Sequence, residues 1–377
     1  MKKLIINIGQ EAVVGATYEV NGKDKIINRV FEFPCLSYYN NVGAFEFPRM
    51  IATIKRVMPR DVRGLDIDLI LPTYVTDVEY VDAVDSQEDS SKDSKKDRYA
   101  VKKTIYIGEN QTKKINQNIS FNGKMIDGIV TAFHKEKLNV VRALSNVSCY
   151  HNFMSVFNQG DIFSGTEHKT HICVVWGSSK IYYVIMIGNL PVEVRVSDLK
   201  FTDMHRDIAS MGGDLPLYQI LKVMDSFTLD PRPEVGLLLE LKNSQTFDNG
   251  ADGTMNRFYD GEKTIMLSEA AVDLIKERFV SFIADMIREI RTMYDYVGNK
   301  YNSGNVCVCT NSKMIDECIC KTLSDQFPIE YLISDGHITV YDNVFTIRGI
   351  SEFVDKYNPI IGCVIETIKK GGDFYDA

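Results

Sequence analysis

Residues 4–33 read LIINIGQEAVVGATYEVNGKDKIINRVFEF. Three β-rich runs stand out: Leu4 to Gly9, Ala12 to Val20 and Lys25 to Phe33, parted by a turn at Gly9-Gln10 and a second at Gly22. Runs of β-branched and aromatic residues broken by Gly or Asn are the signature of a hairpin meander. The pattern recurs at residues 171–196, HICVVWGSSKIYYVIMIGNLPVEVRV, with turns at Ser178-Ser179 and Gly188-Asn189. The tight turns after Ile8-Gly9 and Trp176-Gly177 fall in equivalent places. An internal duplication of this size decides the fold. It implies two similar α/β halves facing one cleft.

Working outward, Pro48 to Met58 has Met50, Ile51, Ile54 and Val57 on one helical face, and Ile67 to Leu71 is a strand closed by Pro72. The first half so far reads βββαβ. The stretch from Asp85 to Asp97, DSQEDSSKDSKKD, has no apolar residue and reads as a solvated loop. It lies in an expected inserted subdomain, about residues 77–150, with strands at Tyr99 to Ile107 and Leu138 to Leu144 and a helix at Lys124 to Lys135. The second half, residues 169–350, adds a helix at Thr202 to Met211 and a polar stretch from Asn243 to Lys263 that reads as a long loop or ragged hairpin. A near-perfect 3.6 period links Ile275, Phe279, Phe282, Ile283, Met286, Ile290, Met293, Tyr294 and Val297, with Ser268-Glu269 as its start signal. Strand Asn305 to Cys309, helix Lys313 to Gln326 and strand Glu330 to Ile333 follow. A closing helix, Pro359 to Lys370, lies in residues 351–377, which are expected to return to the first half, residues 1–168.

The chain has 377 residues, 45% apolar, with a net charge of −8. That charge argues against general binding to nucleic-acid phosphate, which needs a basic face. No run nears the roughly 18 apolar residues of a spanning helix. MKKLIINIGQ reads as a first strand instead of a signal peptide, which points to a cytoplasmic protein. The eight cysteines form no regular framework and read as free buried thiols. Cys307, Cys309, Cys318 and Cys320 have a zinc-like spacing, but the last two, on a helix, would point to opposite sides.

Several sites are excluded. There is no phosphate loop of the G-x-x-x-x-G-K-[ST] kind, no G-x-G-x-x-G, no G-x-S-x-G and no H-E-x-x-H. The run from Asp248 to Gly253 starts like a calcium loop, yet its third position is Gly and its twelfth is Tyr259. Two turns remain, Gly9-Gln10-Glu11 and Gly177-Ser178-Ser179. Successive backbone N–H groups in such turns can cradle a phosphate. Equally, each Gly can serve only to permit a tight hairpin.

These features resemble the actin and hexokinase superfamily, with two βββαβα halves. Within it the chain is most similar to the PilM-type proteins of type IV pilus assembly, relatives of the cell-division protein FtsA. INIGQEAVVGATY stands at the family's opening strand and hairpin, and IDLILPTYVTDVEYV at the strand leading into its inserted subdomain. IADMIREIRTMYDYV resembles its late helix, NVCVCTNSKMIDECICKTLSDQFPIEYL the strand, loop and helix after it, and PIIGCVIETI the closing helix.

The departures matter as much. Where the family's opening strand has an Asp two residues before Gly9, this chain has Asn7, and where the second strand expects an Asp it has Val175. Thr310-Asn311-Ser312 replaces a Gly-pair loop, and Gly212-Gly213-Asp214 reads as a helix stop. A bound Mg²⁺ would lose hard oxygen ligands. The resemblance thus implies degenerate phosphate turns (Asn7, Gly9, Gln10, Gly177, Ser178, Ser179), no catalytic or metal-ligating residues, negligible ATP hydrolysis, and ATP as a disfavoured cofactor. It implies a cytoplasmic scaffold at the inner face of the membrane, serving a type IV pilus or type II-like machine. Such a scaffold holds the tail of a PilN-type membrane protein in a groove beside the inserted subdomain and meets other machine subunits. Membrane contact would be indirect, and self-association into a homo-oligomer is compatible with the family. The alternative is an actin-like ATPase or filament, of the FtsA or plasmid-segregation kind.

Overall fold

The computed structural model describes residues 2–9, 12–21, 24–35, 38, 45–82, 99–107, 113–157, 170–176, 180–187, 190–210, 220, 223, 227–232, 236–241, 245–248, 254–260, 263–301, 306–310, 337–340, 343–348, 357–368 and 375–376. The expected helix 313–326, strand 330–333 and loop 85–97 lie outside them.

The first meander is β1 (Lys2–Ile8), β2 (Ala12–Asn21) and β3 (Asp24–Pro34). Helix α1 (Phe47–Val57) follows, then β4 (Ile67–Leu71), β5 (Thr76–Asp82), β6 (Ala100–Ile107) and β7 (Lys113–Phe121). Helix α2 (Gly123–Lys135), β8 (Val140–Ser145) and helix α3 (Asn146–Phe157) complete this stretch. The second meander is β9 (Thr170–Trp176), β10 (Ile181–Ile187) and β11 (Leu190–Val196), followed by helix α4 (Phe201–Ser210). Next come β12 (Phe227–Arg232), β13 (Gly236–Leu241), β14 (Gln245–Asp248), β15 (Thr254–Asp260), β16 (Lys263–Ser268) and the 33-residue helix α5 (Glu269–Tyr301). The rest is β17 (Val306–Thr310), β18 (His337–Val340), β19 (Asn343–Arg348), helix α6 (Asn358–Ile368) and β20 (Tyr375–Asp376).

The two meanders have matching registers. Ile8 pairs with Val13 and Trp176 with Ile181, so each opening hairpin encloses four residues. In each copy the third strand then carries one unpaired residue, Val30 or Val192. Such bulges bend a strand and raise its twist. In both copies a fourth strand lies parallel to the first: β4 beside β1 and β17 beside β9. The orders β3-β2-β1-β4 and β11-β10-β9-β17 are therefore the same.

The first sheet continues through β8 to β20 on one side and through the β19–β18 hairpin on the other, making eight strands. Two expectations are corrected by this. Residues 140–145, expected in the insertion, pair with β4 in the main sheet, so the insertion's own sheet is only β5-β7-β6. Residues 337–348, expected in the second half, pair with β3. Both joins are long-range parallel pairings, which leave no local trace in sequence. For the polar stretch 243–263, the hairpin alternative holds and the loop does not. Its β14 and β15, with β16 after them, form an antiparallel sheet, and β12–β13 form a further hairpin.

Local chemistry explains the helices. Helix α1 opens on Pro48, buries Met50, Ile51 and Ile54, and ends where Arg63 donates to the carbonyls of Lys55 at 3.0 Å and Met58 at 3.1 Å. The Asn122 side chain accepts from the Met125 N–H and starts α2, and Ser268 accepts from Ala271 and starts α5. Each fully buried Ile or Phe of the α5 stripe contributes roughly 1.5–3 kcal/mol. Helix α3 differs: Val147, Cys149, Tyr150 and Phe153 are fully buried, and so, nearly, are Asn146, Ser148, His151 and Asn152.

Strand β9–β10 residues alternate between two cores. Cys173, Val175, Tyr182, Val184 and Met186 join the core of the first sheet with α1, α2, α3 and α6. Ile172, Val174, Ile181, Tyr183 and Ile185 face α4 and α5. Two carboxylates fasten that second layer. Glu289 accepts from Tyr183 at 2.8 Å and Ser197 at 2.5 Å. Glu193 accepts from Arg195 and Lys300, each at 2.8 Å, and from Tyr296 and Tyr301, each at 3.0 Å, with Arg195 stacked 3.9 Å over the Tyr296 ring. Partial burial alone would raise the Glu193 pKa, but the bonds from Lys300, Arg195, Tyr301 and Tyr296 lower it to about 2.

Helices α3 and α6 cross where Gly362 meets the Cys149 carbonyl, in a space any Cβ would fill. Gly362→Ala is expected to cost about 1–3 kcal/mol, read as a lower Tm. Gly128→Ala, in open space on α2, is expected to add roughly 0.5–1 kcal/mol by helix propensity. For Glu193, the folded pKa lies below the ordinary 4.5, so its stabilisation is present above pH 4.5 and is lost as pH falls towards about 2. The Tm gap between wild type and Glu193→Gln should therefore be widest near neutrality and close across that window.

Candidate functional site

Strands β1, β4 and β8 are parallel and end together: Asn7 pairs with Ile70, and Leu71 with Ser145. In open α/β sheets the carboxyl ends of such strands are where ligands sit. Asn7 is 3% exposed, one residue before the end of β1. The Gly9 N–H donates to the Ala12 carbonyl at 3.0 Å and closes the turn. A Cβ on Gly9 would stand 2.8 Å from that oxygen and 3.7 Å from the Asn7 amide nitrogen. The position needs Gly, and the Asn7 amide lies directly beneath the turn.

Topology adds groups that spacing did not reveal. Thr73 follows β4, and its buried hydroxyl has no hydrogen-bond partner among the described residues. Thr76 and Ser145 join their hydroxyls at 3.0 Å. Asn146 and Ser148, in the first turn of α3, bury Oδ1 and Oγ without a partner among the described residues. The one signal for them in sequence is Ser145-Asn146 at a strand–helix junction, where polar residues cap helices. Hydroxyls beside a helix N-terminus can donate to an anion, whereas the Asn146 Oδ1 can only accept.

The second copy contributes differently. Register sets Val175 opposite Tyr182, as Asn7 is set opposite Val14. Val175 is fully buried in the apolar core. Beside it the Tyr182 hydroxyl donates to Asp77 Oδ1 at 3.0 Å and to the Thr76 carbonyl at 3.3 Å, and Lys180 pairs with Asp77 at 3.1 Å. Burial and the Asp77 charge push the Tyr182 phenol well up. This patch binds the second sheet to the start of the small β5-β7-β6 sheet.

Of the predicted site residues, Asn7 and Gly9 stand together, whereas Gln10, Gly177, Ser178 and Ser179 lie outside the described residues. So do Asn311, Ser312 and the Gly212-Gly213 pair. Among the described residues no three His, Cys, Asp or Glu side chains converge to hold a metal. Cys35, Cys149, Cys173 and Cys363 are buried, and burial pushes the Cys35 thiol up. Cys318 and Cys320 lie outside the described residues.

No family model matches the chain, and no curated protein matches it in sequence. Solved structures do. The chain is similar to a PilM–PilN type IV pilus biogenesis complex with a TM-score of 0.54 at 12% identity, over 96% of this chain and 95% of that one. The chain has an actin-like fold. MreB5 of Spiroplasma citri bound to AMPPNP is similar over 98% of this chain and 97% of its own, at 11% identity, with a TM-score of 0.46 too low to add to the assignment. In this actin-like chain the matched β1–β2 and β9–β10 hairpins are the duplicated elements, and Asn7 and Val175 occupy corresponding positions in them.

Val175 offers a direct test of that geometry. Val175→Asp would place a carboxylate in the core that both sheets share, and is expected to cost about 3 kcal/mol or more in denaturant unfolding. Val175→Ile, which keeps the site apolar, should cost far less.

Proposed function

We propose that this actin-like chain is a PilM-type scaffold that holds the cytoplasmic tail of a PilN-type membrane protein in a type IV pilus or type II-like assembly machine. The observation that carries this reading is the similarity to the PilM–PilN complex over 96% of this chain and 95% of that one. No helix among the described residues is long and apolar enough to cross a membrane. A scaffold recruited by a membrane partner has no need of one. On this reading the protein works at the cytoplasmic face of the membrane and meets other subunits of the machine.

We infer further that the cleft does not hydrolyse ATP. Asn7 offers a neutral amide and Val175 no side-chain oxygen, and Mg²⁺ binds hard, charged oxygen ligands best. Without the ion, charge developing on a transferred phosphoryl group goes uncompensated.

Two measurements test the pair of readings. Titration of the chain with synthetic N-terminal tails of membrane proteins encoded beside it should give saturable binding to one tail, and no binding to any would sink the scaffold reading. In a thermal shift, Mg-ATP is expected to leave Tm unchanged. Binding at a hundredfold excess over Kd would instead stabilise by about 2.7 kcal/mol, a shift of a few degrees, and would restore the ATP-dependent filament as the better reading.

A further inference from the structure

We propose that the chain also touches the membrane directly, through a basic rim at the edge of the first sheet opposite Asn7 and Gly9. Helices α1 and α2 run into the parallel neighbours β4 and β8, so their C-terminal ends lie side by side. Lys55 and Glu136 clasp them at 2.7 Å, and Asn139 donates to Asp66 at 2.8 Å between the two strand entries. Along this rim Arg56, Arg60, Lys135 and Lys137 are exposed, and their side chains have no ion-pair partner among the described residues. Of the carboxylates beside them, Glu136 is paired with Lys55, while Asp61 and Asp66, which accepts from the neutral Asn139 amide, keep their charge and leave the four cations in excess. Packed helices stand roughly 8–10 Å apart, a spacing comparable to the Debye length at physiological salt. A cluster of free cations on a chain of net charge −8 marks one face for an anionic partner.

Helix dipoles account for part of the pattern, since cations in a last turn offset the partial negative charge there. They do not account for Arg60, in a separate helical turn, or for Lys137, beyond the end of α2. Lys137 sits at φ 60°, a left-handed position where Gly is the usual residue. The Lys137 N–H donates to the His134 carbonyl at 2.9 Å and the Leu138 N–H to that of Phe133 at 3.0 Å, so the cap fixes this backbone and sets Lys137 just past the helix end.

The occupant best matched to this rim is an anionic lipid surface. At Glu193 the cations are fixed by bonds and stacking, as a single ligand would require. The rim cations are long, exposed and unfixed, suited to many mobile headgroups. Val57 is 40% exposed next to Arg56, an apolar contact at headgroup depth. The inference goes beyond tail binding, because vesicles of lipid alone can test it.

The full chain should sediment with mixed phosphatidylcholine–phosphatidylglycerol vesicles, not with phosphatidylcholine alone, and salt should release it. Replacing Arg56, Arg60, Lys135 and Lys137 with Gln should weaken binding roughly fivefold per charge removed, with unfolding still cooperative and Tm lowered only by the small loss of helix-dipole contacts. Arg206→Gln with Arg288→Gln, two exposed cations elsewhere, should leave binding as in the wild type. Equal binding to neutral vesicles, no binding to anionic ones, or full binding by the four-Gln variant would overturn the proposal. So would binding to polyglutamate without binding to anionic vesicles, which would make the rim a protein-docking face.

Discussion

Over residues 146–153 helix α3 has no solvent face, and the rest of the molecule is arranged around that constraint. It leaves the carboxyl end of β8, lies against α6, and meets the inner face of the second meander through β10 and β11. A helix buried all round must satisfy its polar side chains inside the protein or against a ligand. The contact is close because Gly362 lets the α6 backbone approach the Cys149 carbonyl. The same helix carries Asn146 and Ser148 to the edge where Asn7 and Gly9 stand. One element thus couples the packing of the halves to the chemistry of the candidate site.

A buried ion pair lies on the α6 side of the first sheet. Asp68 on β4 and Arg142 on β8 meet at 2.6 Å, with Lys3 at 3.6 Å from Asp68 and the Cys363 sulfur of α6 at 3.9 Å from Arg142. Burial alone would lower the Arg142 pKa, yet the bond to Asp68 keeps it raised. A pair of this kind contributes little net stability against an apolar replacement, but loss of one partner strands a charge in the core. It makes the alignment of β4 with β8, and the seating of α6 over both, all-or-none.

Residues with strong local periodicity declared themselves in sequence. The β1–β3 and β9–β11 runs are β-branched between Gly or Asn turns, and α5 keeps its 3.6 period through Val297. Helix α3 was hidden because NVSCYHNFMSVF places Asn, Ser and His against protein instead of water, so no polar face marks it. The β14–β15 hairpin was only half visible, because its Gly, Asn and Asp content is what local rules assign to loops, and its extension to β16 was not read at all. Gly9 was found through the duplicated turn, and Asn7 through the family resemblance. Thr76, by contrast, meets Ser145 across 69 residues and Tyr182 across 106, and only the assembled sheets bring them together.

The first sheet is assembled from widely separated parts of the chain. Its core strands come from residues 2–145, yet its flanks are β18–β19 and β20, and the helix over Asp68 and Arg142 is α6. On a ribosome adding roughly 5–20 residues each second, the early strands emerge many seconds before residues 358–376 can cover them. During that interval a buried-to-be charge pair stays wet and two strand edges stay open. The second half, whose α5 packs on its own sheet, can mature first. The order of folding would then invert the order of synthesis, and the nascent first half is the part most in need of a chaperone.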